Sequence, residues 1–147
     1  MKDLMVSVDP KFINFMSYKN VSLFKQNIKE TEEALAIKIQ SDADLKKAGK
    51  MLLEKLNNQN VLITQGSKGM SLFSSDGSIA SVPTRARKVA DVSGAGDTVI
   101  STLAVTKMGG ASNEEAVTLA NCAAGIVCEE VGIVPIELDK LRKACIV

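Results

Sequence analysis

The run Asp91-Val92-Ser93-Gly94-Ala95-Gly96-Asp97-Thr98 concentrates the residue types best suited to chemistry. Gly94 and Gly96 allow a backbone to approach a ligand without side-chain obstruction. A helix starting here aims its free amides and the positive end of its dipole at whatever lies in front, an arrangement that accepts a phosphate group. Asp97 falls in the first turn of that helix. An acid there either complements the dipole or acts as a general base, taking the proton of a hydroxyl that attacks a phosphoryl group. In the second case the amides from Gly94 to Gly96 stabilise charge on the transferring group.

Three other places carry candidate groups. Asn27 and Glu30 stand three apart, the spacing of a capping box, while a carboxylate also suits a hydrated hard cation. Thr64-Gln65-Gly66-Ser67-Lys68-Gly69 leaves an apolar strand with a hydroxyl, two glycines and a lysine. It reads either as a strand-to-turn transition or as a nucleotide loop, and Lys68 either as a solvated cation or as a phosphate contact. Asn121 lies among small residues on a helix, as a packing polar group or a ligand contact. Cys122, Cys128 and Cys145 have no metal spacing and read as thiols of a reducing compartment.

Composition narrows the chemistry. The 147 residues contain no His, which removes Ser-His-Asp triads, Cys-His dyads and His-ligated metals. Lys plus Arg is 18 against 17 for Asp plus Glu, so the basic excess of a nucleic-acid binder is missing. Aromatic residues make up only 3%, too few for base-stacking platforms. No apolar run approaches a membrane span and no leader pattern is present, so the expectation is a cytoplasmic protein without nucleic-acid or membrane partners.

The elements that must position these residues follow from periodicity. Residues 4–8 and 21–24 read as short strands, with the second leading to a helix capped by Asn27 and running through Ala34 and Ile37. Ser41 caps another helix carrying Leu45, Ala48, Leu52 and Leu56. Residues 60–64 form the clearest buried strand. Residues 70–74 and 78–82 form a hairpin about Asp76-Gly77. Residues 88–91 are an extended lead-in to the glycine turn and a helix ending near Met108. Ser112 with Glu115 opens a further helix, and residues 136–144 form the last. Helices alternating with short apolar strands give an α/β structure, and no linker divides the chain.

The string from Asp91 to Thr98, with Ser101 and Leu103 following, resembles the second signature of the PfkB (ribokinase-like) family of carbohydrate kinases. Thr102 stands where the family usually has Ala or Gly. Asn27-Ile28-Lys29-Glu30 is similar to the family's Asn-x-x-Glu element, with Gln26 in place of a common Pro. Residues 64–69 resemble its Thr-x-Gly-x-x-Gly element. The resemblance implies the C-terminal half of a three-layer α/β/α fold with a central, mostly parallel sheet. It implies Asp97 as catalytic base, and Gly94, Ala95 and Gly96 as anion hole. It implies nucleotide contacts from Asn27, Ile28, Lys29, Glu30, Thr64, Gly66, Ser67, Lys68, Gly69 and Asn121, the last beside the adenine. ATP and Mg²⁺ are the implied cofactors, the cation held by Glu30 through water.

Val8-Asp9-Pro10-Lys11, taken with these motifs, is similar to the heptose-phosphate kinase branch. That branch phosphorylates D-glycero-β-D-manno-heptose 7-phosphate at C1, within bifunctional proteins of ADP-heptose synthesis for lipopolysaccharide. Their nucleotidylyltransferase activity uses a His-x-x-His site, which a chain without His lacks. Ribose, fructose and other sugar phosphates are the alternative substrates within the family. The resemblance runs from about Leu4 to Leu141 and leaves out the family's N-terminal half, with its Gly-Gly signature and sugar contacts. The expectation is a kinase part that keeps the nucleotide side and associates with an N-terminal half or a second copy. A non-catalytic nucleotide-binding or association module is the competing expectation.

Overall fold

The computed structural model describes residues 4–85 and 89–145; Lys88, the start of the predicted lead-in, lies outside them. They divide into two compact units. The first holds the residues up to Gly66 together with Ser71–Ala80, and the second holds Ser67–Met70 together with the residues from Ser81 on.

The first unit is built on a sheet of order β1-β2-β3-β4-β5, comprising β1 (Ser7–Val8), β2 (Leu23–Asn27), β3 (Asn60–Thr64), β4 (Met70–Ser74) and β5 (Ile79–Val82), of which Met70, Ser81 and Val82 group with the second unit. β2 pairs with both β1 and β3 in parallel. The connections from β3 to β4 and from β4 to β5 are too short for parallel crossovers, so these strands meander and the sheet is mixed. A 3-10 helix (Phe12–Ser17) precedes β2, and α1 (Ile28–Leu35) and α2 (Asp42–Leu56) join β2 to β3. The core forms where Leu45, Ala48, Leu52 and Leu56 of α2 meet Phe24, Val61, Ile63 and Phe73 of the sheet. Each fully buried side chain of this size contributes about 1.5–3 kcal/mol. Phe15 closes one end, meeting Phe24 edge-on with ring centroids 5.0 Å apart.

The second unit is helical. It comprises α3 (Ala95–Met108), α4 (Asn113–Cys128) and α5 (Leu138–Cys145). Residues on most of the circumference of α4 are buried, among them Ala116, Val117, Ala120, Cys122, Ala123 and Val127. α3 and α5 both pack on α4.

Four boundaries differ from the periodicity. The first strand pairs only at Ser7 and Val8 rather than over 4–8. The second runs over Leu23–Asn27 rather than 21–24. Its polar half was unreadable because Lys25, only 7% exposed, is neutralised by Asp9 at 2.6 Å. α1 stops at Leu35 because Ala36 turns left-handed (φ 52°) and Glu32 captures the Ile37 and Ile39 amides. The last helix starts at Leu138 rather than 136, where Leu141 donates back to the Glu137 carbonyl. The 3-10 helix at 12–17 carried no readable period.

Candidate active site

In the first unit the motif residues collect at the carboxyl ends of β2 and β3, the edge where open α/β sheets bind ligands. The parallel ladder sets Asn27 directly opposite Thr64, residues far apart in sequence. The Thr64 hydroxyl donates to the Gln26 carbonyl across the strands at 3.4 Å. Asn27 caps α1 through Oδ1, which accepts the Glu30 amide at 2.8 Å, while Glu30 Oε2 accepts the Asn27 amide at 2.8 Å. Glu30 Oε1 accepts no hydrogen bond among the described residues. Ile28 is half-buried, packed against the core, and Lys29 is exposed. Gly66 turns the chain after β3 with φ 58° and open space about its α-carbon.

Gln26, beside Asn27, is fully buried and both polar atoms of its side-chain amide lack partners among the described residues. The ion pair of Lys25 with Asp9 lies one pleat below Asn27, and sequence reading gave neither partner a role. The only signal was a charge interrupting an apolar strand.

In the second unit the glycine turn opens α3. Gly94 is its N-cap with φ 78°, a left-handed conformation costly to other residues. Among the described residues no side chain caps this helix. The Ala95 amide is engaged by the Val92 carbonyl at 3.3 Å, and the Gly94 carbonyl accepts the Thr98 amide. The Gly94, Gly96 and Asp97 amides have no acceptor among the described residues. The open donors are therefore Gly94, Gly96 and Asp97; of the expected Gly94-Ala95-Gly96 set, the Ala95 amide is engaged by Val92. The Asp97 side chain is exposed at this end.

Asp91 holds the turn in place. Its Oδ1 accepts the Ser93 amide at 2.8 Å and its Oδ2 accepts the Gly132 amide at 3.1 Å. The Ser93 backbone and hydroxyl, then the Gly132 amide, hold its carboxyl below the usual range. The Ala90 and Asp91 amides both donate to the Cys128 carbonyl at the end of α4. Ile133 lies over Gly94 closely enough that an added Cβ would stand 3.3 Å from it. Ser67 and Lys68 are exposed and Gly69 is buried. Asn121 is 4% exposed and donates from Nδ2 to the Pro83 carbonyl at 2.6 Å.

Taken separately, the open amides at the start of α3 suit a phosphate group, and the unbonded Glu30 oxygen suits a hydrated cation. Among the described residues no cluster of three or more His, Cys, Asp or Glu forms a metal cage. A hard cation that keeps its waters and takes phosphate oxygens needs no cage, only a carboxylate such as Glu30.

The pattern described as pfkB family carbohydrate kinase matches residues 7–139. The chain belongs to this family. Among curated relatives of this PfkB chain, the bifunctional protein HldE of Alcanivorax borkumensis is 42% identical over 95% of the chain, and that of Syntrophotalea carbinolica 36% over 97%. In both cases the chain spans 29% of the relative's length. The ribokinase-like fold is borne out by solved structures. Phosphofructokinase-2 of Escherichia coli, in complex with substrates and products, superposes with a TM-score of 0.80 at 22% identity, covering 88% of this chain and 41% of that one. Arabidopsis thaliana ribokinase, complexed with ribose and ATP, gives 0.78 at 26% identity, covering 84% and 40%. No helix among the described residues is long and apolar enough to cross a membrane.

Proposed function

We propose that this PfkB chain supplies the nucleotide side of a cytoplasmic sugar kinase that phosphorylates D-glycero-β-D-manno-heptose 7-phosphate at C1, within ADP-heptose and lipopolysaccharide core synthesis. The observation that carries the phosphotransfer reading is the start of α3. It combines open amides, a left-handed glycine cap and an exposed carboxylate in one turn, whereas α1, α2 and α4 are all closed by side-chain boxes. The HldE relatives support the heptose substrate over ribose or fructose phosphates.

Each residue then has a task. Asp97 would accept the proton of the attacking sugar hydroxyl, the new O–P bond forming as the bond from the γ-phosphorus to the β,γ-bridging oxygen breaks and ADP leaves. The Gly94, Gly96 and Asp97 amides stabilise negative charge on the phosphoryl oxygens as they pass. Glu30 holds a water of the cation through Oε1, and Asn27 fixes Glu30 through their reciprocal bonds. Thr64, Gly66, Ser67 and Lys68 flank the nucleotide phosphates. Bound Mg²⁺·ATP supplies the electrophilic phosphoryl group.

The chain spans 29% of the length of these curated relatives, and in this reading it carries the nucleotide side while the sugar contacts come from elsewhere. Titration calorimetry with ATP and Mg²⁺ tests the nucleotide side. Measurable heat, with a thermal shift on unfolding, is expected. No heat and no shift would remove the preformed site. Full turnover of heptose 7-phosphate by the isolated chain would remove the division of the site between two regions.

A further inference from the structure

We propose that Gly69 and Asn121 form a clamp on the backbone at the exit of β5, and that both are positioning residues rather than ligand contacts. The inference rests on the nucleotide reading above and gives those two residues a different part in it. Pro83 has no amide and ends the strand, so its carbonyl leaves the ladder and needs a donor from elsewhere. Asn121, buried on α4, provides that donor at 2.6 Å.

The same stretch of chain is gripped from a second direction. Gly69 adopts φ 99°, and a Cβ there would collide with the Val82 carbonyl oxygen and stand 2.8 Å from the Pro83 backbone. Only a residue without a side chain lets the turn lie this close. Ser67–Met70 groups with the helical unit, whereas Gly66 and Ser71 on either side belong to the first. Ser67 and Lys68, which precede Gly69 directly, are thereby held in a fixed place relative to α4.

A clamp and a contact make different demands on the ligand. An Asn that touches the base senses which base is present. An Asn that fixes the loop affects every ligand whose phosphates that loop receives. Its own amide is already bonded to Pro83, which favours the second role.

The test uses the full chain with Asn121→Leu, which removes the donor at similar size, and Gly69→Ala, which pushes from the other side. ATP, GTP and inorganic tripolyphosphate are titrated in turn with Mg²⁺, and trypsin cleavage after the exposed Arg85 is timed against cleavage after Lys50 in α2. Loss of one buried hydrogen bond corresponds to about tenfold. Both variants should weaken all three ligands by that same factor, and speed cleavage after Arg85 without speeding it after Lys50. A loss confined to ATP would overturn the clamp in favour of a base contact. Unchanged cleavage after Arg85, or an equal rise at both sites, would also overturn it. If the parent chain binds none of the three ligands, the nucleotide reading falls while the cleavage comparison still decides the clamp. Asn121→Ser, a milder change, should give the same pattern at smaller amplitude if Asn121→Leu fails to fold.

Discussion

At the start of α1, Asn27 and Glu30 satisfy each other's amides with two bonds of 2.8 Å; at the start of α3, Gly94 makes the cap and no side chain takes the amides that follow. Both termini lie in segments that resemble motifs of the same kinase family, yet their hydrogen bonding is distributed differently. The α1 motif stabilises its own helix and leaves one Glu30 carboxylate oxygen unbonded among the described residues. The α3 motif leaves donors open, and its geometry is held from outside by Asp91, through Ser93 and Gly132. A helix end closed by its own side chains couples stability to binding. One held open by a neighbouring loop separates the two.

That difference can be sharpened or broken by experiment. The largest effect belongs to Asp97→Asn, assayed in a preparation that turns over sugar phosphate. General-base loss should lower kcat by about 10²–10⁴-fold. ATP affinity measured by calorimetry should hold, because Asp97 caps nothing. An equal fall in affinity would break the separation drawn for α3.

Gly94→Ala comes next. The left-handed backbone should cost about 1–2 kcal/mol in urea unfolding, with the methyl 3.3 Å from Ile133 adding to it. An unchanged midpoint would mean that the turn relaxes and the open amides are not rigidly placed.

Asn27→Ala should cost about 1 kcal/mol through the lost cap, and weaken Mg²⁺·ATP at the same time because the Glu30 amide loses its acceptor and the first turn that carries the Glu30 carboxylate loosens. A variant that lost stability and kept affinity would make the box purely structural.

The smallest effect is a pH dependence. The folded carboxyl of Asp91 titrates below its ordinary value of 3.8, so its contribution is present above that pH and disappears as pH falls through the folded value. Asp91→Asn should therefore lower the melting temperature near neutrality and flatten the decline below pH 3.8. Parallel melting curves for parent and variant at all pH values would show that the carboxylate does not anchor the turn.

Much of this was legible locally. Asn27, Ser41 and Ser112 each precede an acid by three residues, and all three boxes are present because a cap depends only on its own first turn. The hairpin at Asp76-Gly77 was readable for the same reason, with Gly77 bonded back to the Ser74 carbonyl. The end of β2 was not. A lysine and a glutamine look like a strand's end until Asp9 arrives to neutralise one, and nothing local reveals that Gln26 is buried with no partner. Placement of the open amides was also beyond reach, because it turns on which one the Val92 carbonyl engages.

By itself, the sequence determined the family, the starts of α1 to α4, the hairpin, and the absence of any histidine chemistry, since these depend on residue identity or on contacts within a turn. Tertiary structure alone decided that Asn27 faces Thr64 across a parallel ladder, that Asp91 reaches Gly132, and that Asn121 binds the Pro83 carbonyl. Those pairs are separated by about forty residues or fewer, yet no spacing announces them. A hydrogen bond between distant segments is fixed by how strands pair and helices pack, and that free energy is shared over the whole core rather than carried in any one motif.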